Sequence, residues 1–287
     1  MWTSAARVEV IADYARYNTQ SRAGAIALAF EKIFEKPIDN SVVLWYNKFV
    51  RLRERRQTSI TMLKGFDTMK NIYCTLDTET VGGASAPTGM YNLGCTIHDR
   101  QGKIFATCSL LVMEHYDEIR EDDYAKKNFH LYESRLASGE ISAVATEEEA
   151  LSVVRNLCHF YGVKYVMAYN SGFDFCKTIC RELLNDFEFI DLYLMALQTI
   201  CHKKSFANFC RENGMKSKSG KTCSTSAETV FAYITNNADY IEEHTALADA
   251  LIEMEIFLAC VKMKKKYVKN VHQWDYRGEV KKCFPKF

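Results

Sequence analysis

The amino-acid sequence predicts an α/β fold with a mixed β-sheet flanked by helices. Three short, apolar, β-rich runs lie close together after residue 70, and helical and strand-like segments then alternate along the chain. Consecutive strands followed by alternating helices and strands are typical of α/β domains with mixed sheets. The composition, 48% hydrophobic and 25% charged with only 3 prolines, is that of a globular protein.

The predicted elements occur in a definite order. Strands are predicted at 72–76, 92–97, 104–112, 165–169 and 187–190. Helices are predicted at 146–161, 175–184, 192–200, 206–212 and 227–234, and a last long helix begins near His244 and runs into 262–266. The turn sequence 99–102 should join the second and third strands into a hairpin. The order β-β-β-α-β-α-β-α fits a ribonuclease H-like arrangement, so the core domain is predicted to cover 71–262.

Residues 1–70 are predicted to form a small, separate, all-helical module. Apolar residues recur with helical spacing in three short segments, and the third segment ends in several arginines (Arg51, Arg53, Arg55 and Arg56). Three short helices with a basic last helix are typical of helix-turn-helix or Myb-like modules. Two interpretations stay open, namely duplex binding by this module and a plain helical extension. Residues 263–287 are predicted to be a basic C-terminal tail.

The net charge of +1 conceals an uneven distribution along the chain. Residues 1–70 contain 12 Lys and Arg against 7 Asp and Glu, and residues 261–287 contain 9 against 2, so both ends are basic. The middle, 71–260, contains 16 against 27 and is acidic. An acidic centre between basic ends suits a metal site flanked by surfaces that bind a polyanion. Ordinary solvated surface charge is the other interpretation, and charge alone does not decide between them.

The protein is expected to be cytoplasmic and to have no membrane association. No N-terminal stretch resembles a signal peptide, and no segment is apolar over the length that a membrane-spanning helix needs. The 11 cysteines are odd in number and include no C-x-x-C pair, so we expect reduced, mostly buried thiols.

Candidate metal ligands occur first at the end of the first predicted strand. Asp77 and Glu79 are two residues apart, so both carboxylates point to one side of an extended chain. Two carboxylates on one side suit Mg²⁺ or Mn²⁺, which prefer oxygen ligands. The pattern is common, and taken alone it is better explained as a solvated pair at a strand end.

Two further acidic positions lie near predicted helix starts. Asp174 follows the fourth strand and is predicted to open a helix. Asp249 lies five residues after His244 on the last helix, where alternate alanines would let the helix approach the sheet closely. Taken alone, Asp174 is explained as a helix N-cap, and Asp249 as a salt-bridged residue near an incidental histidine.

Together these signals form an ordered set: D-x-E on the first strand, N-x-x-F-D after the fourth strand and H-x4-D at the last helix. In this respect the sequence resembles the DEDDh exonucleases, the family of the polymerase III proofreading subunit, ribonuclease T and oligoribonuclease. The resemblance covers about residues 71–262. It implies a 3′→5′ exonuclease that uses two divalent ions, Mg²⁺ or Mn²⁺, on single-stranded DNA or RNA 3′ ends.

The resemblance also implies a role for each residue of the set. Asp77 would bridge both ions, while Glu79 and Asp249 would hold the ion that binds the attacking water. Asp174 would help to place the second ion, and His244 would be the general base. Contacts with the nucleotide are expected from neighbouring residues, namely Thr80, Asn170 and Phe173.

Departures from the family leave the substrate and the partners open. Residues 81–90 are long and Gly-rich, 114–142 are a highly charged insertion, and the two basic ends are not usual parts of the family core. These additions suit a polymerase or other replication partner. The alternative function is a non-catalytic nucleic-acid-binding or polymerase-associated regulatory protein with the same fold. Residues 222–250 look like those of phage-encoded relatives, which would place the protein in a host cytoplasm.

Three other polar residues receive ordinary roles. Asp191 follows the fifth strand and is predicted to be a helix N-cap. His98 and His202 lie outside any motif, so they are predicted to be ordinary surface or turn residues.

Overall fold

A computed structural model of the protein describes residues 71–82, 87, 89–264, 266 and 269–272. The predicted helical module at 1–70 lies outside the described residues, as does most of the tail predicted at 263–287. Within the described part of the chain, no helix is long and apolar enough to cross a membrane.

The centre of the fold is a six-stranded mixed sheet. Its strands are β1 (Ile72–Val81), β2 (Gly89–Asp99), β3 (Ile104–Val112), β4 (Ser142–Val144), β5 (Val163–Ala168) and β6 (Glu188–Asp191). The spatial order is β4-β3-β2-β1-β5-β6. The first three strands are antiparallel, β5 runs parallel to β1, and β6 runs parallel to β5. The predicted α/β fold with a ribonuclease H-like mixed sheet is therefore confirmed.

Eight α-helices occur among the described residues. They are α1 (Tyr116–Glu121), α2 (Phe129–Ser138), α3 (Glu147–Tyr161), α4 (Ser171–Lys177), α5 (Leu192–Ala196), α6 (Lys204–Glu212), α7 (Ala227–Thr235) and α8 (Ala246–Lys262). Short 3-10 segments lie at Met113–His115, Ala125–Asn128 and Ile179–Asn185. The longest helix, α8, buries ten of its residues and packs on β1 and β2.

Local sequence signals explain several of these elements. The β2–β3 hairpin is confirmed, and its turn is held by the Asp99 carboxylate, which accepts hydrogen bonds from the backbone N–H groups of Gln101 and Lys103. Helix α3 begins where Thr146 caps it by accepting a hydrogen bond from the N–H of Glu149. Asp191 accepts a hydrogen bond from the N–H of Leu194, which confirms its predicted role as a helix N-cap.

Other predicted boundaries were wrong. Strand β1 runs to Val81 rather than ending at residue 76, so the D-x-E motif lies inside the strand. The helix predicted at 175–184 is two pieces, because Thr178 is extended between α4 and the following 3-10 segment. Strand β4 was not predicted at all. It is only three residues long, and its burial shows no alternation that periodicity could detect.

His98 is not the surface residue that was predicted. Its side chain is buried on β2, where its ring stacks on Tyr73 and its Nε2 atom lies 2.8 Å from the Oγ1 atom of Thr75. Burial lowers the pKa of His98 to about 4, which keeps the imidazole neutral in the core. His202 is exposed, as predicted. Among the described cysteines, all ten are free thiols and nine are buried.

Candidate metal centre

The candidate site begins with two carboxylates on β1. Asp77 and Glu79 lie on the same face of this strand, because they are two residues apart in extended chain. Their partners across the antiparallel β1–β2 pair are Gly94 and Asn92, respectively, so all four positions share that face. Glu79 is buried and Asp77 is half-buried.

The start of α8 lies directly on this face of the sheet. A Cβ atom at Gly94 would be 2.1 Å from the backbone nitrogen of Leu247 and 2.2 Å from the carbonyl carbon of Ala246, so only glycine fits there. The side chain of Asn92 accepts a hydrogen bond of 2.9 Å from the N–H of Ala246, an otherwise unpaired group of the first helical turn. The glycine and the asparagine thus bring α8 against the two carboxylates of β1.

The loop before α8 places a histidine beside two of the carboxylates. His244 has a left-handed backbone, with φ +58°, and is half-buried. Asp249 lies in the first turns of α8 and is buried. One potential ligand atom from each of Glu79, His244 and Asp249 lies within 4.8 Å of the other two, so these three residues could hold a metal ion.

Asp174 reaches the same site from α4. The structure places it inside this helix rather than at its start, since Asn170 occupies the N-cap position. Asp174 is buried, and its Oδ1 atom accepts a hydrogen bond of 2.7 Å from the hydroxyl of Thr78 on β1. Burial raises the pKa of Asp174 to about 7, although the hydrogen bond from Thr78 works in the opposite direction.

The carboxylates disfavour one another's ionisation. Burial and then the charge of Asp174 raise the pKa of Asp77, and burial and then the charge of Asp249 raise that of Glu79. Burial followed by the charge of Glu242 raises the pKa of Asp249 to about 8. Among the described residues, no Lys or Arg forms an ion pair with any of these carboxylates. Within the described part of the chain, the cluster therefore concentrates negative charge without a Lys or Arg to balance it.

A fifth buried carboxylate was missed in the sequence. Glu253 lies one helical turn after Asp249 on α8, is 3% exposed, and accepts a hydrogen bond of 2.9 Å from the N–H of Tyr169. Burial and the charge of Asp174 raise its pKa. The available signal was the spacing of four residues after Asp249 on a mostly apolar helix, which places both side chains on one helical face.

The residues predicted to contact a nucleotide lie around this cluster. Thr80 follows Glu79 on β1 and lines a small cleft of about 110 Å³ together with Lys177 and Thr178. Asn170 has a left-handed backbone with φ +65°, and its carbonyl accepts a hydrogen bond from the N–H of Phe173. Their positions beside α4 are compatible with a role in nucleotide contact, which stays a prediction.

The donor set fits a divalent cation. The Oδ1 atom of Asp249 is buried and has no hydrogen-bond partner among the described residues, which is costly for a carboxylate unless a cation is near. The other ligands on offer are carboxylate oxygens and one imidazole, a set that suits Mg²⁺ or Mn²⁺. Cation binding here would also offset the mutual repulsion of the carboxylates.

Comparisons with known proteins gave distant structural likenesses and no match in sequence. No protein-family model matches the sequence, and no curated protein matches it. Among solved structures, the fold is similar to E. coli Exonuclease I in complex with a dA16 oligonucleotide, with a TM-score of 0.39 and 15% sequence identity. The match covers 67% of this chain and 41% of the Exonuclease I chain, so the protein spans about two fifths of the length of that relative.

Proposed function

We propose that the protein is a 3′→5′ exonuclease that depends on divalent metal ions and acts on DNA or RNA. The observation that carries the proposal is the convergence of Asp77, Glu79, Asp174 and Asp249 with His244, supplied by β1, α4 and the start of α8. Clustered carboxylates with raised pKa values and no balancing cation are unfavourable for a protein that only binds or scaffolds, and such arrangements are concentrated at functional sites.

The four aspartate and glutamate side chains would hold two ions, Mg²⁺ or Mn²⁺. Asp77 is central to the cluster, since the charges of Asp174, Asp249 and Glu79 all act on it, and this position suits a ligand shared by both ions. When bound, the two ions supply charge stabilisation for the attacking and the leaving oxygen of an in-line displacement.

His244 is proposed to be the general base. As water attacks the phosphorus of the last phosphodiester, one water proton passes to the imidazole of His244, and histidine as a residue type accepts protons near neutral pH. A bond forms between the water oxygen and phosphorus, and the bond between phosphorus and the 3′ oxygen of the preceding nucleotide breaks. That oxygen takes a proton from water. The products are a 5′-mononucleotide and a nucleic-acid strand that is one nucleotide shorter and ends in a free 3′ hydroxyl.

A substrate panel tests this function. The full chain would be incubated with single- and double-stranded DNA and RNA oligonucleotides, labelled at either end, in Mg²⁺, Mn²⁺ or EDTA. We expect products that shorten stepwise from the 3′ end and release mononucleotides in Mg²⁺ or Mn²⁺, and no products in EDTA. Asp77→Asn, which keeps the shape of the side chain, is the matched inactive control. Full activity in EDTA, or no cleavage of any substrate, would rule out the proposal.

A further inference from the structure

The charged segment between β3 and β4 folds into helices beside the His244 loop. Helices α1 and α2 and the 3-10 segment Ala125–Asn128 pack through apolar side chains into a separate small core. Its buried members on this segment are Ile119, Ala125, Phe129, Tyr132 and Ile141, which pack with Val81, Tyr91 and Leu111 of the sheet. The ring of Tyr132 meets that of Tyr91 edge-on at 5.5 Å between centroids. This packing fixes the segment to the sheet.

The same segment is attached to the loop that carries the proposed base. The carbonyl of His244 accepts hydrogen bonds from the amide of Asn128, at 3.0 Å, and from the hydroxyl of Tyr132, at 3.3 Å. The guanidinium of Arg135 donates to the Thr245 hydroxyl at 3.1 Å and forms an ion pair with Glu243 at 2.6 Å. These contacts therefore fix the position of the segment relative to the loop that carries His244.

Tyr124 is the residue of this segment that faces the site and remains accessible. It is 51% exposed, and it is the only tyrosine among the exposed large hydrophobic residues that the structure describes. Its ring lies edge-on to the imidazole of His244, with 6.2 Å between centroids. Burial, followed by the charges of Glu79 and Asp249, raises the pKa of Tyr124.

A cation also lies close to this exposed ring. The Nζ atom of Lys127 is 5.8 Å from the centroid of the Tyr124 ring. An exposed aromatic face next to a lysine is the combination that binds single-stranded nucleic acid, because bases stack on the ring and phosphates meet the cation. A structural role in the core does not explain a tyrosine that is half accessible at this position.

The geometry of in-line attack identifies which nucleotide this ring would meet. The attacking water and the leaving 3′ oxygen lie on opposite sides of the phosphorus. The preceding nucleotide, which owns the leaving oxygen, therefore lies on the side away from His244. A residue next to His244 faces the terminal nucleotide instead.

We propose that Tyr124 is a substrate-positioning residue on which the base of the 3′-terminal nucleotide stacks, an inference that rests on the proposed exonuclease function. The stacked base would hold the last phosphodiester in line with the water next to His244. Since every base has a face that can stack, this contact would favour single-stranded ends without selecting a sequence.

Substrates with and without a terminal base test the inference. kcat/KM would be measured for oligonucleotides that end in a normal nucleotide or in an abasic one, with the wild type, Tyr124→Ala and Tyr124→Phe. Stacking on an aromatic ring is worth about 1–3 kcal/mol, so Tyr124→Ala should lower kcat/KM on the normal end by about 5- to 150-fold. Tyr124→Phe should stay near wild type, and the wild type and Tyr124→Ala should cleave the abasic end equally.

The controls separate stacking from other effects. His130→Ala alters an exposed ring on the same segment, at α2, and should leave both substrates unaffected. If Tyr124→Ala fails to fold, Tyr124→Leu replaces it, because leucine keeps the bulk of the side chain without an aromatic face. Like Tyr124→Ala, this variant should lower kcat/KM on the normal end and leave cleavage of the abasic end unchanged. An equal loss on normal and abasic ends, or a loss that tracks a missing base at the preceding position, would overturn the inference. Absence of cleavage by the wild type would instead overturn the exonuclease function.

Discussion

Two groups of side chains in the described part of the chain bring potential metal ligands within 4.8 Å of one another. One is Glu79, His244 and Asp249, and the other is Glu114, His115 and Glu147. In the second group the carboxylates have a cationic partner inside the protein, the imidazole of His115. The ring nitrogens of His115 lie 3.0 Å from the carboxylates of Glu147 and Glu118.

The carboxylates of the second group also have backbone partners. Glu147 accepts a hydrogen bond of 2.7 Å from the N–H of Met90, and Glu114 accepts one of 2.6 Å from the N–H of Glu147. Burial works against a charged imidazole, but the hydrogen bonds and charges of Glu118 and Glu147 outweigh it and raise the pKa of His115. This group is a satisfied ion-pair network, whereas the first group has a buried, unpaired oxygen on Asp249. Both groups bring potential ligands close together, but only the second has ionic and hydrogen-bond partners for its carboxylates among the described residues.

The largest effect is expected when a negative charge is removed beside the first group. The matched removal from the second group is expected to have almost no effect. Asp77→Asn, beside the first group, should lower nuclease activity by on the order of 10³-fold or more, because it weakens the binding of the ions on which the reaction depends. Glu147→Gln, in the second group, should leave activity near that of the wild type. Cleavage rates in Mn²⁺ measure both variants. A comparable loss in Glu147→Gln would mean that the second group also takes part in the reaction.

His244 provides the next test, because it is near enough to the carboxylates to be a ligand itself. His244→Ala should lower kcat by about 10²–10⁴-fold, the usual cost of losing a general base, and the residual rate should rise with pH as hydroxide replaces it. Calorimetric titration with Mn²⁺ should give nearly the wild-type affinity. His202→Ala, at an exposed histidine, is the control. If His244→Ala loses Mn²⁺ as completely as Asp77→Asn does, His244 is a metal ligand and not the base.

Substitution of two glycines, Gly94 near the first group and Gly89 near the second, tests how rigid the surroundings of each group are. A Cβ atom at Gly94 meets the backbone of α8, which cannot move aside, whereas one at Gly89 meets the ring of His115, which can rotate. Gly94→Ala should therefore lower the free energy of unfolding by about 1–3 kcal/mol and also reduce activity, because it moves α8 away from the sheet. Gly89→Ala should have a smaller effect on stability and little on activity. Urea unfolding and cleavage rates measure both, and equal losses would contradict the rigid contact at Gly94.

The comparison also shows which parts of the molecule were accessible to sequence reasoning. The D-x-E pair was found because spacing within one strand decides which side chains share a face. The hairpin and α3 were found because turn and cap residues act locally. Glu253 was missed because its spacing from Asp249 shows only that the two side chains share a helical face and not whether that face is buried. Its burial depends on how α8 packs against the sheet and on its hydrogen bond from Tyr169, which follows β5.

The segment between β3 and β4 shows the same limit more strongly. The sequence predicts a charged insertion here, and its charged residues do lie mostly at the surface. Its contacts with the His244 loop join residues more than 100 positions apart, as between Asn128 and His244. No periodicity or motif reports a contact over such a separation. The accessible ring of Tyr124 beside the site therefore emerges only from the folded chain.

The smallest expected effect is on the stability of the folded protein as a function of pH. The contributions of the two groups to this stability both decrease as pH rises. The pKa of His115 is raised in the folded state, so its contribution is complete below its ordinary pKa of 6.5 and is lost as pH rises through the folded value. The pKa values of Asp174 and Asp249 are raised to about 7 and about 8, so without metal their contribution is likewise lost as pH rises from the ordinary carboxyl range to about 8. A pH series alone therefore does not separate the groups.

Metal ions separate them, because a cation favours the ionised carboxylates of the first group, whereas the carboxylates of the second group already have His115 and backbone N–H groups as partners. In EDTA, the Tm of the wild type should fall between about pH 5.5 and about pH 8.5, and Mn²⁺ should raise it more at the higher pH. His115→Gln should lower Tm by at most about 2–4 °C at the lower pH and less at the higher pH, since one exposed pair is worth about 1 kcal/mol or less. This difference should be the same in Mn²⁺ and in EDTA. If Mn²⁺ stabilises the wild type but not His115→Gln, the second group binds the ion, and the presence of partners inside the protein is the wrong criterion for telling the two groups apart.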